Sequence, residues 1–154
     1  MPKTFKQGIY APKNPSKYFH SSSKMNEGSF LPIYRSSWEL KFFRYCDLTP
    51  EIVAWSSEPF GIEYISPIDN RIHRYYPDFF IMYKDKKMLI EIKPKSQAYN
   101  PKSAYDKQAH AINMAKWSAA KTFCDSKGIE FCIITENELS IGKGSRKITK
   151  QLNN

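Results

Sequence analysis

Three charged side chains interrupt an otherwise apolar stretch of this 154-residue chain. Asp78 opens the run Phe79-Phe80-Ile81-Met82-Tyr83, a polar turn follows at Lys84 to Lys87, and a second apolar run carries Glu91-Ile92-Lys93-Pro94. Strand side chains alternate faces, so Glu91 and Lys93 project from one side and Ile92 from the other. A hairpin folded about Asp85 and Lys86 brings the two runs together, and near its open end Asp78 reaches the carboxylate of Glu91. Two buried carboxylates repel unless a positive charge sits between them. A hard cation such as Mg²⁺, with Mn²⁺ as a substitute, takes one or two carboxylates, keeps several waters and leaves positions for phosphate oxygens. Such a site suits phosphodiester hydrolysis, with Lys93 stabilising charge on the phosphate or orienting the attacking water. The plainer reading is a cross-strand ion pair of Asp78 with Lys93 beside a solvated turn.

The elements that must hold these residues read as α/β. A helix is expected from Ser36 to Asp47 with Trp38, Phe42, Tyr45 and Cys46 on one face. Ser36-x-x-Glu39 has the form of a capping box, in which Glu39 reaches back to the Ser36 amide. Thr49-Pro50-Glu51 reads as the capped start of a further short helical turn ending near Trp55. A strand from about Pro59 to Ile65 and a turn at Pro67 to Asn70 precede the two motif strands. Beyond Pro94, a polar loop to about Pro101 leads to a long helix, Ala104 to Lys127. Its apolar positions are Ala109, Ile112, Ala115 or Lys116, Ala119 and Phe123, and Gly128 terminates it. A buried strand at Glu130 to Thr135 completes a central mixed sheet with helices on its faces. Lys95 shares the face of Lys93 if the strand continues past Pro94.

Composition sets the bounds. With 41% apolar residues the chain supports one domain with a real core. The expected division is a basic arm at 1–32, a folded domain at 33–139 and a basic tail at 140–154. The arm, with Pro2, Pro12, Pro15 and Ser21-Ser22-Ser23, has neither helical nor strand period and is expected to order only on a partner. No apolar stretch is long enough for a membrane span and there is no signal peptide, so a soluble protein made in a cytoplasm is expected. Cys46, Cys124 and Cys132 are odd in number and widely spaced, as reduced packing cysteines are. His20, His73 and His110 have no metal-ligand spacing.

The net charge of +9 is unevenly placed. Of 24 basic and 15 acidic side chains, six and one lie in residues 1–35, four and none in 143–150, and 14 of each lie between. A neutral globule with basic ends suits a polyanion gripped by its phosphates, with steep salt dependence. The alternative is that the ends are solvated and serve solubility or assembly.

Pro77-Asp78 followed by Glu91-Ile92-Lys93 resembles the motif of the PD-(D/E)xK, restriction-endonuclease-like nucleases, a superfamily that includes junction resolvases and transposon-end-cleaving subunits. One branch is closer. Pro12-Lys13-Asn14, Ser16-Lys17-Tyr18, Tyr34-Arg35-Ser36-Ser37-Trp38-Glu39, Pro50-Glu51-Ile52-Val53-Ala54-Trp55, Glu91-Ile92-Lys93-Pro94-Lys95 and Lys116-Trp117 resemble, in order, the head-completion nucleases of large contractile-tailed phages. The resemblance runs from Pro12 to about Leu139. It implies a metal-dependent deoxyribonuclease, with endonuclease or also exonuclease action on packaged double-stranded DNA, so that a filled head joins its tail. It further implies phage head or neck proteins as partners, and action in the host cytoplasm during assembly or in the virion. A further acidic residue on the first helix is implied as catalytic and as a metal ligand, and Glu39 matches it, so Glu39 is read either as a ligand beside Asp78 and Glu91 or only as a cap. Lys13, Lys17, Arg35, Arg74, Lys95 and Lys116 are the candidate DNA contacts. Fold alone does not separate this reading from a resolvase or a transposon-end nuclease. A different class is a head-to-tail adaptor that binds DNA without cutting it, against which the repelling carboxylates count.

Overall fold

In the computed structural model, which describes residues 7–20, 31–98 and 101–139, a four-stranded mixed sheet lies between two helices. Helix α1 (Ser37–Leu48) starts where the Ser36 side chain accepts from the Glu39 amide at 3.1 Å and ends at Thr49, whose amide bonds the Tyr45 carbonyl. Strands β1 (Gly8–Ile9) and β2 (Ile33–Tyr34) form a short antiparallel pair before it. After it come β3 (Ile52–Ser57), β4 (Ile62–Ile65), β5 (Ile72–Tyr75), β6 (Phe79–Tyr83) and β7 (Lys87–Ile92). A short helix α2 (Lys95–Ala98) precedes α3 (Ala104–Lys127), which ends at Gly128 with φ 67°, a left-handed backbone that only glycine adopts without strain. Strand β8 (Glu130–Ile134) and α4 (Glu136–Leu139) complete the described chain.

The sheet runs β3-β6-β7-β8, antiparallel at the first two pairings and parallel at the last. Its two faces are unlike. Phe79, Ile81, Met88, Ile90 and Ile92 pack with Phe42, Phe43 and Cys46 of α1, while Phe80 and Leu89 pack with Ala120 and Cys124 of α3. Among the described residues β4 and β5 pair only with each other, and Ile62 and Tyr75 join the α3 side. This is the expected α/β, restriction-endonuclease-like arrangement. Cys46, Cys124 and Cys132 are free thiols, and among the described residues no helix is long and apolar enough to cross a membrane.

Several expectations are corrected. Thr49-Pro50-Glu51 closes α1 and turns directly into β3, because Pro50 cannot extend the helix and Ile52 and Trp55 are needed in the core. The strand placed at Pro59 begins only at Ile62, and the run before the motif is divided: β5 pairs with β4, and Tyr76-Pro77-Asp78 crosses to the main sheet. The buried stripe of α3 is Asn113, Trp117, Ala120 and Cys124, one position round from the one expected, with Ala109, Ile112, Lys116, Ala119 and Phe123 only half-buried at its margins. Strand β7 stops at Ile92, so Lys95 instead starts α2, where its amide donates to Glu136 at 2.8 Å.

The arm is the largest correction. Far from awaiting a partner, residues 7–20 fold onto α1 and β3. The buried Asp47 carboxylate accepts from the Tyr10 hydroxyl and from the amides of Lys13 (2.8 Å) and Asn14 (2.9 Å). Tyr18 bridges to Trp55 and packs its ring against the indole at a tilt, with centroids 4.8 Å apart. Burial alone would raise the Asp47 carboxyl, yet the hydrogen bonds from Tyr10, Lys13 and Asn14 outweigh it and hold the group below its usual range. The segment lacks a period because its one strand, β1, is only two residues long, and specific polar bonds and aromatic contacts attach the rest. Ser21-Ser22-Ser23, Pro2 and the basic tail at 140–154 lie outside the described residues.

Candidate active site

The hairpin of β6 and β7 turns through Lys84 to Lys86, with the Tyr83 amide bonded to the Lys86 carbonyl at 2.8 Å. Phe79 pairs with Ile90, so the next positions outward are Asp78 and Glu91, facing α3 together. Asp78 accepts from the Ile92 amide at 2.7 Å, and the Glu91 carboxyl stands beside it across the hairpin. Glu91 is buried and accepts from the Trp117 indole at 3.3 Å. Beyond it the Lys93 amide bonds the Ile134 carbonyl at 3.0 Å, which keeps Lys93 extended on the same side as Glu91.

Desolvation and mutual repulsion dominate the electrostatics of this pair. Burial, and next the neighbouring Glu91, push the Asp78 carboxyl well above the ordinary aspartate range; the Lys93 charge pulls the other way and is outweighed. Between its ordinary pKa and the raised one, folded Asp78 holds a proton that the unfolded chain has lost, so stability falls as pH rises through that window. In EDTA, Asp78→Asn, which does not titrate and still accepts from Ile92, will therefore gain melting temperature relative to the wild type as pH rises above about 4. Thermal melts across pH check this; a wild type that gains instead would make Asp78 the partner in a stabilising ion pair with Lys93.

Glu39, read either as a ligand or only as a cap, is held at the start of α1. Its Oε1 accepts from the Arg35 amide at 2.6 Å, one residue before the amide that a capping box uses. Burial raises its carboxyl, the Arg35 bond opposes this, and the Asp78 charge adds to the rise, so the two carboxylates feel one another. Among the described residues no three His, Cys, Asp or Glu side chains converge as a metal set. The cap draws the Glu39 oxygen back to the chain entering α1.

The candidate DNA contacts scatter. Lys17 donates to the Asp47 and Thr49 carbonyls at 3.0 and 2.8 Å, which ties it to the far end of α1, a helix of 12 residues, about 18 Å long. Lys13 is exposed at that same end. Arg35 pairs with Glu58 at 3.0 Å, and Glu58, at φ 47°, also gives its amide to the Asp78 carbonyl at 2.9 Å. Arg74 lies 3.6 Å from Glu63 on the exposed side of the β4-β5 pair, and Lys95 is exposed on α2. Of the six, Lys116 is the one whose ammonium feels the Asp78 and Glu91 charges. Burial lowers its ammonium, the Lys93 charge lowers it further, and Glu91 and Asp78 raise it.

Trp117, the indole donor to Glu91, stands out in the sequence only through its place in a short motif. Its position four residues after Asn113 and three before Ala120 is the helical signal that puts it on the buried stripe. Tyr75 carries no sequence signal for the site at all; its buried hydroxyl has no hydrogen-bond partner among the described residues, and burial followed by the Glu91 charge raises it.

Residues 49–136 match the family described as TnsA-like endonuclease N terminal, a span that takes in the hairpin, both carboxylates, Lys93 and α3. The chain belongs to the TnsA-like endonuclease family. It is also 34% identical over 147 residues to the head completion nuclease of Enterobacteria phage T4, with 86% of this chain and 92% of that protein covered. The family makes it a nuclease, and nucleases with this fold generally use divalent metals. The open end of the β6-β7 hairpin, with its paired carboxylates, lies inside the span that the endonuclease family covers.

Proposed function

We propose that this chain is a Mg²⁺-dependent deoxyribonuclease that processes packaged double-stranded DNA during phage head completion, in the host cytoplasm, next to head or neck proteins. The observation that carries it is the Asp78-Glu91 pair: two adjacent carboxylates, one buried and hydrogen-bonded to Trp117, the other with its pKa pushed up, facing the same side as Lys93. Similarity over nearly the full length of a head completion nuclease supports the biological setting.

The residues present fit a divalent cation. Asp78 and Glu91 would hold it, and a pair of carboxylates suits Mg²⁺, which retains waters, with Mn²⁺ as an alternative. When bound, the ion supplies Lewis-acid activation of a water and neutralisation of phosphate charge. The chain's own residues do the rest. Trp117 fixes the Glu91 carboxylate and the Ile92 amide fixes that of Asp78, so both are oriented before substrate arrives. Lys93 donates to a non-bridging oxygen of the scissile phosphate, where negative charge grows in the transition state. Glu39 shapes the field at Asp78 from the α1 terminus.

Incubation of the full chain with supercoiled, linear and branched DNA in Mg²⁺, Mn²⁺ or EDTA tests this. Metal-dependent cutting of ordinary duplex is expected; cleavage confined to four-way junctions would replace head processing with resolution, and salt-sensitive binding without cleavage would replace the nuclease with an adaptor. Lys93→Ala is expected to lose about a hundredfold or more in rate while binding the metal normally by calorimetry. Lost metal binding in that variant would make Lys93 structural.

A further inference from the structure

On the α3 side of the site, Lys116 occupies a position that a solvated surface lysine would not need. Its Nζ lies 5.7 Å from the centroid of the Tyr64 ring and 5.7 Å from that of Tyr75. The two rings stand edge to face, 6.1 Å apart at 82°. They come from neighbouring strands: Ile62 pairs with Tyr75 and Tyr64 with His73, which places the two tyrosines diagonally on one face of the β4-β5 pair. That face packs toward α3, where Tyr75 is buried with Ala120 and Cys124. The opposite face carries Glu63 and Arg74 in solvent. An ammonium over two aromatic faces is held by their negative quadrupoles and gives up part of its hydration for a fixed place.

We propose that Tyr64 and Tyr75 clamp Lys116 as a second phosphate-binding cation of the active site, gripping a phosphate that flanks the one held by Lys93. The proposal rests on the nuclease reading above. Lys116 immediately precedes Trp117, whose indole reaches Glu91 at 3.3 Å, and its Nζ stands over Tyr75, three residues before Asp78, so its ammonium lies on the side of α3 that faces the carboxylates, where their charges and that of Lys93 act on it. A divalent cation would balance the two carboxylates, which leaves both ammonium groups to face the DNA backbone. Because the two ammonium groups repel, one phosphate each is the favoured arrangement, and phosphates repeat along a strand. Among the described residues the β4-β5 pair adds no strand to the main sheet, and its inner face both packs Ile62 and Tyr75 against α3 and carries the two rings under Lys116. Lys116 touches substrate, whereas Tyr64 and Tyr75 are positioning residues that act through it.

The test uses the full chain with linear duplex DNA. Lys116→Met, which keeps the stem, is expected to raise KM about tenfold, the size of one charge-assisted hydrogen bond, with a smaller change in kcat. Its binding in EDTA should show a log-log salt slope shallower by about one unit. Lys116→Arg, which keeps both the charge and the affinity for ring faces, should recover most of the loss. Tyr64→Leu should raise KM in the wild type yet add nothing in the Lys116→Met background, and Tyr75→Phe should recover what Tyr75→Leu loses. A wild-type KM and slope in Lys116→Met would overturn the proposal, as would additive effects of Tyr64→Leu. Failure of the nuclease reading looks different, since the wild type itself would then not cut in Mg²⁺, and the salt slopes would still decide whether Lys116 touches phosphate.

Discussion

Glu91→Gln and Asp78→Asn will each reduce DNA cleavage to the level of an EDTA-treated reaction while the chain stays folded and binds DNA. These substitutions remove only charge. Asparagine at position 78 still accepts from the Ile92 amide, and glutamine at position 91 still offers the Trp117 indole an oxygen. Each removes one of the two carboxylates available to the cation, and the metal's share of transition-state stabilisation is several kcal/mol, which corresponds to orders of magnitude in rate. The alanine variants should also be inactive, but Glu91→Ala leaves the buried indole donor unmatched, at a cost of about 1–3 kcal/mol. Gel assays of duplex cleavage with melting curves of the same samples check both halves. Cleavage near the wild-type rate by either charge-removed variant would move the catalytic site elsewhere.

Deleting residues 1–20 will destabilise the whole domain, a larger structural effect than a basic appendage would have. The deletion removes the donors that surround Asp47, which is fully buried, and uncovers Trp55 and Phe43, against which Tyr18 and Tyr10 pack. A buried carboxylate without partners is among the costliest groups a fold can contain. The point variant Asp47→Ala tests the same contact from the other side: it leaves the Tyr10 hydroxyl and two amides without an acceptor, at roughly 1–3 kcal/mol for each that stays buried. Because the Asp47 pKa is depressed in the folded state, its contribution is present above the ordinary aspartate value and is lost as pH falls through the depressed one. Denaturant melts should therefore show the wild type losing its advantage over Asp47→Ala in acid. A deletion protein as stable as the full chain would return the segment to the role of a free arm.

Much of the candidate site was legible because its signals are local. Alternation along Phe79–Tyr83 and Lys87–Ile92, with a polar turn between, is enough to set Asp78 opposite Glu91, since a hairpin's register follows from its turn. Ser36 and Gly128 mark helix ends through bonds and dihedrals that span only a few residues. Ambiguity entered where a local signal serves two purposes. Thr49-Pro50-Glu51 has the chemistry of a helix start, and only the core's need for Ile52 and Trp55 on β3 turned it into a helix end. Glu39 satisfied a spacing rule, but the direction of the chain entering α1 decided which amide it took. Contacts between residues far apart in the chain left no such signal: Asp47 with Tyr10, Trp117 with Glu91, Lys116 with Tyr64 and Tyr75. Periodicity and turn chemistry act over neighbouring residues, so the amino-acid order was enough to specify the hairpin, the two long helices and the paired carboxylates. Burial and charge act through space, and for that reason packing had to decide that a periodless arm belongs to the core and that a lysine at the edge of a helical stripe stands over two tyrosine rings.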